Sequence, residues 1–139
     1  MRKLVIIGFL AFAAIAFLKD RTGVLHNPAE SGVFESAYAE HRSNFVAEGT
    51  GTVTRILADD NDGSRHQRFI ISLSSGQTLL VAHNIDLASR VEPLAVGDRI
   101  SFKGEYEWNE KGGTIHWTHQ DPAGRHEAGW IQSNGKTYQ

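Results

Sequence analysis

From Phe45 onward, hydrophobic and polar residues alternate with a period of two, in runs separated by short segments rich in Gly, Asp, Asn and Ser. Side chains of a strand point alternately to its two faces, so this pattern predicts half-buried β-strands. The chain contains no cysteine, so packing and hydrogen bonds alone must hold the strands together. The predicted strands span residues 46–57, 66–73, 77–83, 99–108 and 114–119, with a last short hairpin around Asn134-Gly135.

The order of these strands favours a small closed barrel. A polar stretch from Asn84 to Arg90 separates the third strand from the fourth and is long enough for about one helical turn. Gly49 and Gly51 predict a bend or bulge in the first strand. We therefore predict an all-β domain over residues 45–139, a five-stranded OB-like barrel, in which closure also removes exposed strand edges. An open β-sandwich and another type of small barrel are the alternatives.

The N-terminus has the pattern of an export signal. Met1-Arg2-Lys3 is followed by 15 uncharged, mainly apolar residues, 4–18. A secretory signal has a basic start and an apolar region of roughly 7–15 residues, whereas a membrane-spanning helix prefers about 20. We therefore predict that residues 1–21 are a signal peptide or, if uncleaved, a membrane anchor that leaves the domain outside the cytoplasm.

Residues 22–44 are predicted to be a linker followed by a short helix. Asn27 is suited to cap this helix and Pro28 to occupy its first position. The predicted helix has one moderately apolar face, which consists of Phe34, Ala37, Tyr38 and His41.

The charge of the chain argues against one class of partner. The formal net charge is −2 for the whole chain, with 14 basic and 16 acidic residues. Residues 1–21 carry four of the basic residues and one of the acidic ones, so the remainder has a formal charge of −5. A protein that neutralises many phosphates is expected to be basic. Non-specific binding of DNA or RNA is therefore not expected.

The segment from Gly104 to Pro122 is unusually dense in aromatic and polar side chains. We predict that Trp108 and Trp117 pack in the core as cross-strand partners on the two arms of a hairpin. Alternatively, they form a platform for stacking, because OB barrels bind oligonucleotides or oligosaccharides on one face. Since the charge disfavours nucleic acid, such a platform would take a sugar or another small polar ligand.

Five histidines lie in the barrel region, with carboxylates near them in sequence. Neutral imidazole is the commonest metal ligand, and histidine with carboxylate suits zinc or another divalent transition ion. His116 and His119 would point to opposite faces of a straight strand, so they could share a metal only if the strand bends or ends between them. The candidate zinc site, gathered from strand ends at one rim, consists of His83, Asp86, His119, Asp121 and His126. The alternative is a set of histidines that only form hydrogen bonds within the barrel.

A second set of polar residues is the candidate ligand-binding site. It consists of His66, Arg68, Asn84, Glu107, His116 and Trp117. An imidazole beside a carboxylate can exchange protons at neutral pH, and a guanidinium can bind a carboxylate or phosphate through two hydrogen bonds. We therefore predict a binding module with a histidine-rich site for a small polar ligand or an oligosaccharide. The alternatives are a metal-dependent hydrolase, such as a phosphodiesterase or nuclease, that uses the same residues, and a structural interaction domain without a ligand.

Several dense motifs follow one another in a specific order. They are Gly63-Ser-Arg-His-Gln-Arg-Phe69, His83-Asn-Ile-Asp-Leu-Ala88, Gly104-Glu-Tyr-Glu-Trp108, Gly112-Gly-Thr-Ile-His-Trp-Thr-His119, Asp121-Pro122 and Tyr138-Gln139. Over residues 46–139 the chain thereby resembles a family of small exported bacterial proteins, domain of unknown function 3465. The resemblance implies a protein of the bacterial periplasm or cell envelope, and it implies no particular activity.

Overall fold

A computed structural model of the chain describes residues 28–139, with side chains from residue 32 onward. The predicted signal or anchor segment, 1–21, and the predicted helix cap Asn27 lie outside these residues. None of the helical structure in residues 28–139 has the length and hydrophobicity that crossing a membrane requires. The elements of the described part are α1 (Pro28–Ala39), β1 (Phe45–Ile56), β2 (His66–Ser72), β3 (Thr78–Asn84), β4 (Arg99–Glu107), β5 (Thr114–His116), β6 (Trp130–Ser133) and β7 (Lys136–Tyr138).

The first five strands close into a barrel. The long strand β1 pairs with β4 through residues 45–52 and with β2 through residues 52–56, antiparallel in both cases. β2 pairs antiparallel with β3, β3 runs parallel to β5, and β5 pairs antiparallel with β4. The resulting circuit, β1-β2-β3-β5-β4, confirms the predicted OB-like five-stranded barrel. The predicted tail hairpin is also confirmed, because β6 and β7 are joined by Asn134-Gly135 and extend the sheet beyond β4.

The irregularity of β1 lies further along the strand than the sequence suggested. The pairing with β2 shifts register between Val53 and Arg55, not at Gly49 or Gly51. Gly49 instead provides space for packing, because a Cβ there would lie 2.8 Å from the ring of Phe102. The predicted bend or bulge is present in β1 as a bulge, which lies after Gly51 rather than at either glycine.

The core is built from the alternate residues that the strands direct inward. Their spacing is that of the hydrophobic positions in the sequence, as expected for strands with one buried face. The core side chains include Val53, Phe69, Ile71, Leu79, Val81, Ile100, Phe102, Tyr106, Ile115 and Ile131. Burial of these large apolar groups is the main source of stability in a domain without disulfides.

Helix α1 covers one end of the barrel. Phe34 is fully buried, and its ring centroid lies 5.7 Å from that of Phe102 and 5.8 Å from that of Tyr106. Its carbonyl oxygen accepts a hydrogen bond of 3.2 Å from Gln77 Nε2, just before β3 begins. The predicted apolar face is confirmed for Phe34 and Ala37, which are fully buried, whereas Tyr38 is 38% exposed.

The opposite end of the barrel is closed by polar side chains. Gln67 and His83 occupy inward positions near the start of β2 and the end of β3. Gln67 exchanges two hydrogen bonds with the backbone of Val91, at 2.9 and 2.8 Å. These bonds fix the connection between β3 and β4 across this end, where the side chain of Val91 is also buried in the core.

The two tryptophans of the hairpin do not pair across it. β5 ends at His116, because Trp117 has a φ of 60° and leaves the strand conformation. Glu105 lies opposite His116 and Glu107 opposite Thr114, so both tryptophans fall beyond the paired segment. Trp108 packs on the helix side, with its ring 4.0 Å from that of His41, and Trp117 is 37% exposed. The prediction of a cross-strand pair, like that of a strand to His119, was therefore wrong, although Trp108 does pack against the core.

Candidate functional site

The topology brings three strand ends to the same edge of the barrel. β3 and β5 are parallel, so their carboxyl ends lie at one edge. β2 is antiparallel to β3, which places its first residue, His66, directly opposite Asn84 at that edge. Polar residues that are distant in sequence are therefore neighbours in space.

These strand ends surround a cleft of about 300 Å³, here called the histidine cleft. It is lined by Ser64, His66, Asn84, Leu87, His116, Trp117 and His119. Four of the six predicted ligand-binding residues line it, together with one predicted metal ligand. Arg68 and Glu107 do not, and the Nε of Arg68 donates a hydrogen bond of 3.0 Å to the carbonyl oxygen of Ala58.

Trp117 is held in a backbone conformation that bulky residues rarely adopt. Its φ of 60° lies in the left-handed region, and residues kept in such sparsely populated regions cost of order 1–3 kcal/mol each. The indole stacks on the ring of His119, at 5.9 Å and 27°, and contacts His126 edge to face. The surrounding structure thus fixes a partly exposed aromatic ring at the wall of the cleft.

Two imidazoles of the cleft are oriented by backbone carbonyls. His66 Nδ1 lies 2.9 Å from Ser64 O, and His119 Nδ1 lies 2.7 Å from Gln120 O. A carbonyl oxygen only accepts hydrogen bonds, so each Nδ1 carries the proton when the ring is neutral. The Nε2 atom of each ring then keeps its lone pair and can accept a proton or a hydrogen bond.

His116 lies beside two carboxylates on the outer face of the barrel. Its Nε2 is 3.8 Å from Glu105 Oε1 and 3.7 Å from Glu107 Oε2. This nitrogen is buried and has no hydrogen-bond partner in the described part of the chain. Burial lowers the pKa of His116 below its usual value, although both carboxylates act in the opposite direction. The neutral imidazole is therefore favoured.

His83 lies inside the barrel, below the cleft. Its Nε2 donates to Ser89 O at 2.9 Å, so its Nδ1 accepts from Thr118 Oγ1 at 2.7 Å. Burial is the main cause that lowers the pKa of His83 to about 4. Both ring nitrogens are engaged, and metal binding by His83 would require the loss of one of these bonds.

The other predicted metal ligands are engaged in local structure. Asp86 accepts hydrogen bonds from the backbone nitrogen and the Nε of Arg65, at 2.9 and 2.8 Å. Asp121 accepts from the backbone nitrogens of Ala123 and Arg125, at 2.9 and 2.7 Å, and lies 3.5 Å from His126 Nε2. No group of three or more His, Asp or Glu in residues 28–139 is arranged to hold a metal ion. Zinc binding by the predicted set stays a prediction.

Sequence reasoning missed two residues that matter at this edge. Leu87 lines the cleft and is 51% exposed. The sequence offered a signal for it, because Leu87 is an apolar residue within the mainly polar connection after Asn84. Thr118 is fully buried and bonds His83. Its role had no sequence signal, because it depends on the backbone reversal at Trp117.

The fold and the cleft together define a class: a small OB-like barrel with a polar and aromatic cleft at one edge. Residues 17–139 match the family model described as a protein of unknown function, DUF3465, and the chain belongs to this family. A search of curated proteins found no match.

Proposed function

We propose that the protein is a binding module whose histidine cleft takes a small, neutral, polyhydroxylated ligand of the saccharide class. The observation that supports this most is the convergence of three separate segments on one cleft beside a fixed, partly exposed tryptophan. Small-molecule sites are concave, with apolar walls and a few well-placed polar groups. The histidine cleft has this composition.

The side chains of the cleft match the two kinds of surface that a sugar ring presents. The indole of Trp117 and the exposed side chain of Leu87 offer apolar contact to the C–H face of a pyranose. The rings of His66 and His119 and the amide of Asn84 offer hydrogen-bond partners to hydroxyl groups. A volume of about 300 Å³ is at the low end for ligand pockets, which suits one or two sugar units.

The charge near the cleft favours a neutral ligand over an anionic one. Glu105 and Glu107 lie within 3.8 Å of His116, a residue that lines the cleft. Asp86, near the same edge, already pairs with Arg65, at 2.8 Å. Carboxylates repel phosphate groups, and the acidic balance of the chain acts in the same direction. Nucleic acid is accordingly not the proposed ligand.

Replacing Trp117 by alanine should weaken saccharide binding about tenfold or more. Loss of an aromatic stacking partner costs about 1–3 kcal/mol, by analogy with bases stacked on aromatic side chains. Saturation-transfer NMR on the full-length chain, in a zwitterionic detergent that carries no sugar, would first identify a binder among neutral hexoses, N-acetylhexosamines and their disaccharides. Calorimetry would then compare the wild-type protein with the Trp117→Ala variant.

Trp130→Ala is the matched control, because it removes an indole from β6, outside the cleft. This variant should bind as the wild-type protein does. Equal losses in both variants would argue against a stacking role for Trp117. If no saccharide binds the wild-type protein, the proposal fails and a structural interaction domain becomes the better hypothesis.

A metal-dependent hydrolase is the second candidate. It is favoured by the Nδ1 bonds of His66 and His119, which leave Nε2 in each ring as a proton acceptor within the cleft. An added divalent ion would supply an activated water. Release of nitrophenol from bis(4-nitrophenyl) phosphate and 4-nitrophenyl acetate, with Zn²⁺, Mn²⁺ or Mg²⁺ and then with EDTA, tests it. Absence of turnover with every metal would contradict it.

In this proposal the domain acts outside the cytoplasm. The support is the basic start and the apolar run at residues 4–18, which are typical of an export signal. Fractionation of bacterial cells that produce the full-length chain should find it in the periplasm or the membrane fraction. Replacing Arg2 and Lys3 by glutamate should retain more of it in the cytoplasm.

A further inference from the structure

The outer face of β4 carries two glutamates that the strand period places side by side. Glu105 and Glu107 flank Tyr106, which points into the core, so their side chains share the opposite face. His116 on β5 lies directly opposite Glu105 in the antiparallel ladder. The spacing Glu-x-Glu and the register with β5 therefore gather one imidazole and two carboxylates.

Their arrangement leaves one buried ring nitrogen without a hydrogen-bond partner. His116 Nε2 is buried and has no hydrogen-bond partner among the described residues, while Glu105 Oε1 and Glu107 Oε2 lie 3.8 and 3.7 Å away. Buried polar atoms are normally paired, so an unpaired one requires an explanation. A cation between the three groups would satisfy the nitrogen and neutralise the carboxylates.

We propose that Glu105, Glu107 and His116 bind a divalent transition ion of the Zn²⁺ type. One imidazole nitrogen with two carboxylate oxygens is a ligand set that suits such ions. Bonds of about 2.1 Å in a tetrahedral site place ligand atoms roughly 3.4 Å apart. The two separations from His116 Nε2 are wider, at 3.8 and 3.7 Å, so the carboxylates must rotate toward the nitrogen to complete the site, because residues 28–139 hold no preformed metal group.

The site is open to solvent on one side. The side chain of Glu107 is 58% exposed, so an ion can enter and water can complete its coordination. His116 also lines the histidine cleft, which places the ion next to that cleft. The cation site does not depend on saccharide binding, and each can be tested without the other.

Titration of the untagged full-length chain with Zn²⁺ alone, followed by calorimetry, tests the inference. The wild-type protein should bind one equivalent. Glu105→Gln, Glu107→Gln and His116→Gln should each weaken binding at least about tenfold, because even the loss of an outer-shell partner costs that much. The controls are Glu110→Gln, an exposed glutamate outside the cluster, and His41→Gln, an exposed histidine outside it. Both should bind as the wild-type protein does.

Paramagnetic broadening by Mn²⁺ in the wild-type protein gives a measurement that needs no variant. Backbone signals of Glu105, Glu107 and His116 should broaden at the lowest Mn²⁺ concentrations. The inference is overturned if wild-type protein binds no zinc, if His41→Gln abolishes binding while His116→Gln does not, or if broadening centres on other residues. Circular dichroism of each variant would ensure that a loss of binding is not a loss of fold.

Discussion

The Gly113→Ala variant should be destabilised by about 3–5 kcal/mol, because two independent costs fall on one position. Gly113 has a φ of 118°, a conformation that L side chains rarely adopt. An added Cβ would also overlap the ring of Tyr106, which is fully buried. That ring cannot retreat without breaking the 2.8 Å bond from its hydroxyl to Gly112 O. Urea denaturation followed by tryptophan fluorescence would measure the change.

Substitutions at two other glycines measure the backbone strain and the steric overlap separately. Gly76 has a φ of 90° and no atom within 4 Å of an added Cβ, so Gly76→Ala carries only the backbone strain, about 1–3 kcal/mol. In Gly49→Ala the Cβ would meet the rings of Phe102 and Phe34 at 2.8 Å, an overpacking cost of about 1–3 kcal/mol. If Gly113→Ala is no worse than either control, the account of Gly113 is wrong.

The strands and their closure were predictable because most buried positions of a strand recur with a period of two in the sequence. Phe69 and Ile71 in β2 and Leu79 and Val81 in β3 recur with a period of two and are buried, whereas the residues between them are only partly buried. The order of the five strands, with the longest connection after the third, then limits the number of ways in which they can pair to close a barrel. The family match is consistent with the sequence resemblance, since both cover the whole barrel.

The end of β5 was not predictable, because it depends on contacts with residues that are distant in sequence. Thr114 to His119 has a strand composition, and nothing local indicates the positive φ at Trp117. The reversal there lets Thr118 enter the core and bond His83, a residue 35 positions earlier. The position of Trp108 likewise depends on α1, whose Tyr38 carbonyl oxygen accepts a bond of 3.1 Å from the indole Nε1.

The grouping of residues at the cleft could be predicted from sequence more readily than the geometry of a metal site. The cleft requires only that residues at strand ends share an edge, and strand direction settles this for His66, Asn84 and His116. A metal site also requires ring orientation and free nitrogens. Those depend on hydrogen bonds such as His83 to Ser89 and Thr118, which sequence spacing does not reveal.

His83 links the core to the cleft. Thr118, its hydrogen-bond partner, is flanked by Trp117 and His119, both of which line the cleft. The second partner, Ser89, belongs to the connection that carries Leu87 to the same place. The neutral ring of His83 is therefore hydrogen-bonded to both of the segments that contribute Trp117 and Leu87 to the cleft.

The protein should lose about 3 kcal/mol of stability as the pH falls from 6.5 to 4, because the pKa of His83 is lowered from 6.5 to about 4 by burial. Between these values the unfolded chain binds the proton and the folded protein does not. The contribution is therefore fully present above pH 6.5, declines through this window and is lost below it. Urea midpoints at four pH values and the NMR titration of the His83 ring would measure it.

In His83→Gln most of the slope between pH 6.5 and 4 should disappear, while stability at neutral pH falls because two buried bonds are altered. His116 adds to the loss of stability at falling pH, since burial also lowers the pKa of His116. Asp59, Asp86 and Asp121, whose pKa values are lowered from 3.8, act at lower pH and do not mask the effect. His41→Gln, which changes an exposed histidine, is the control and should keep the slope. A slope that persists unchanged in His83→Gln would show that the buried ring is not the group that senses acid.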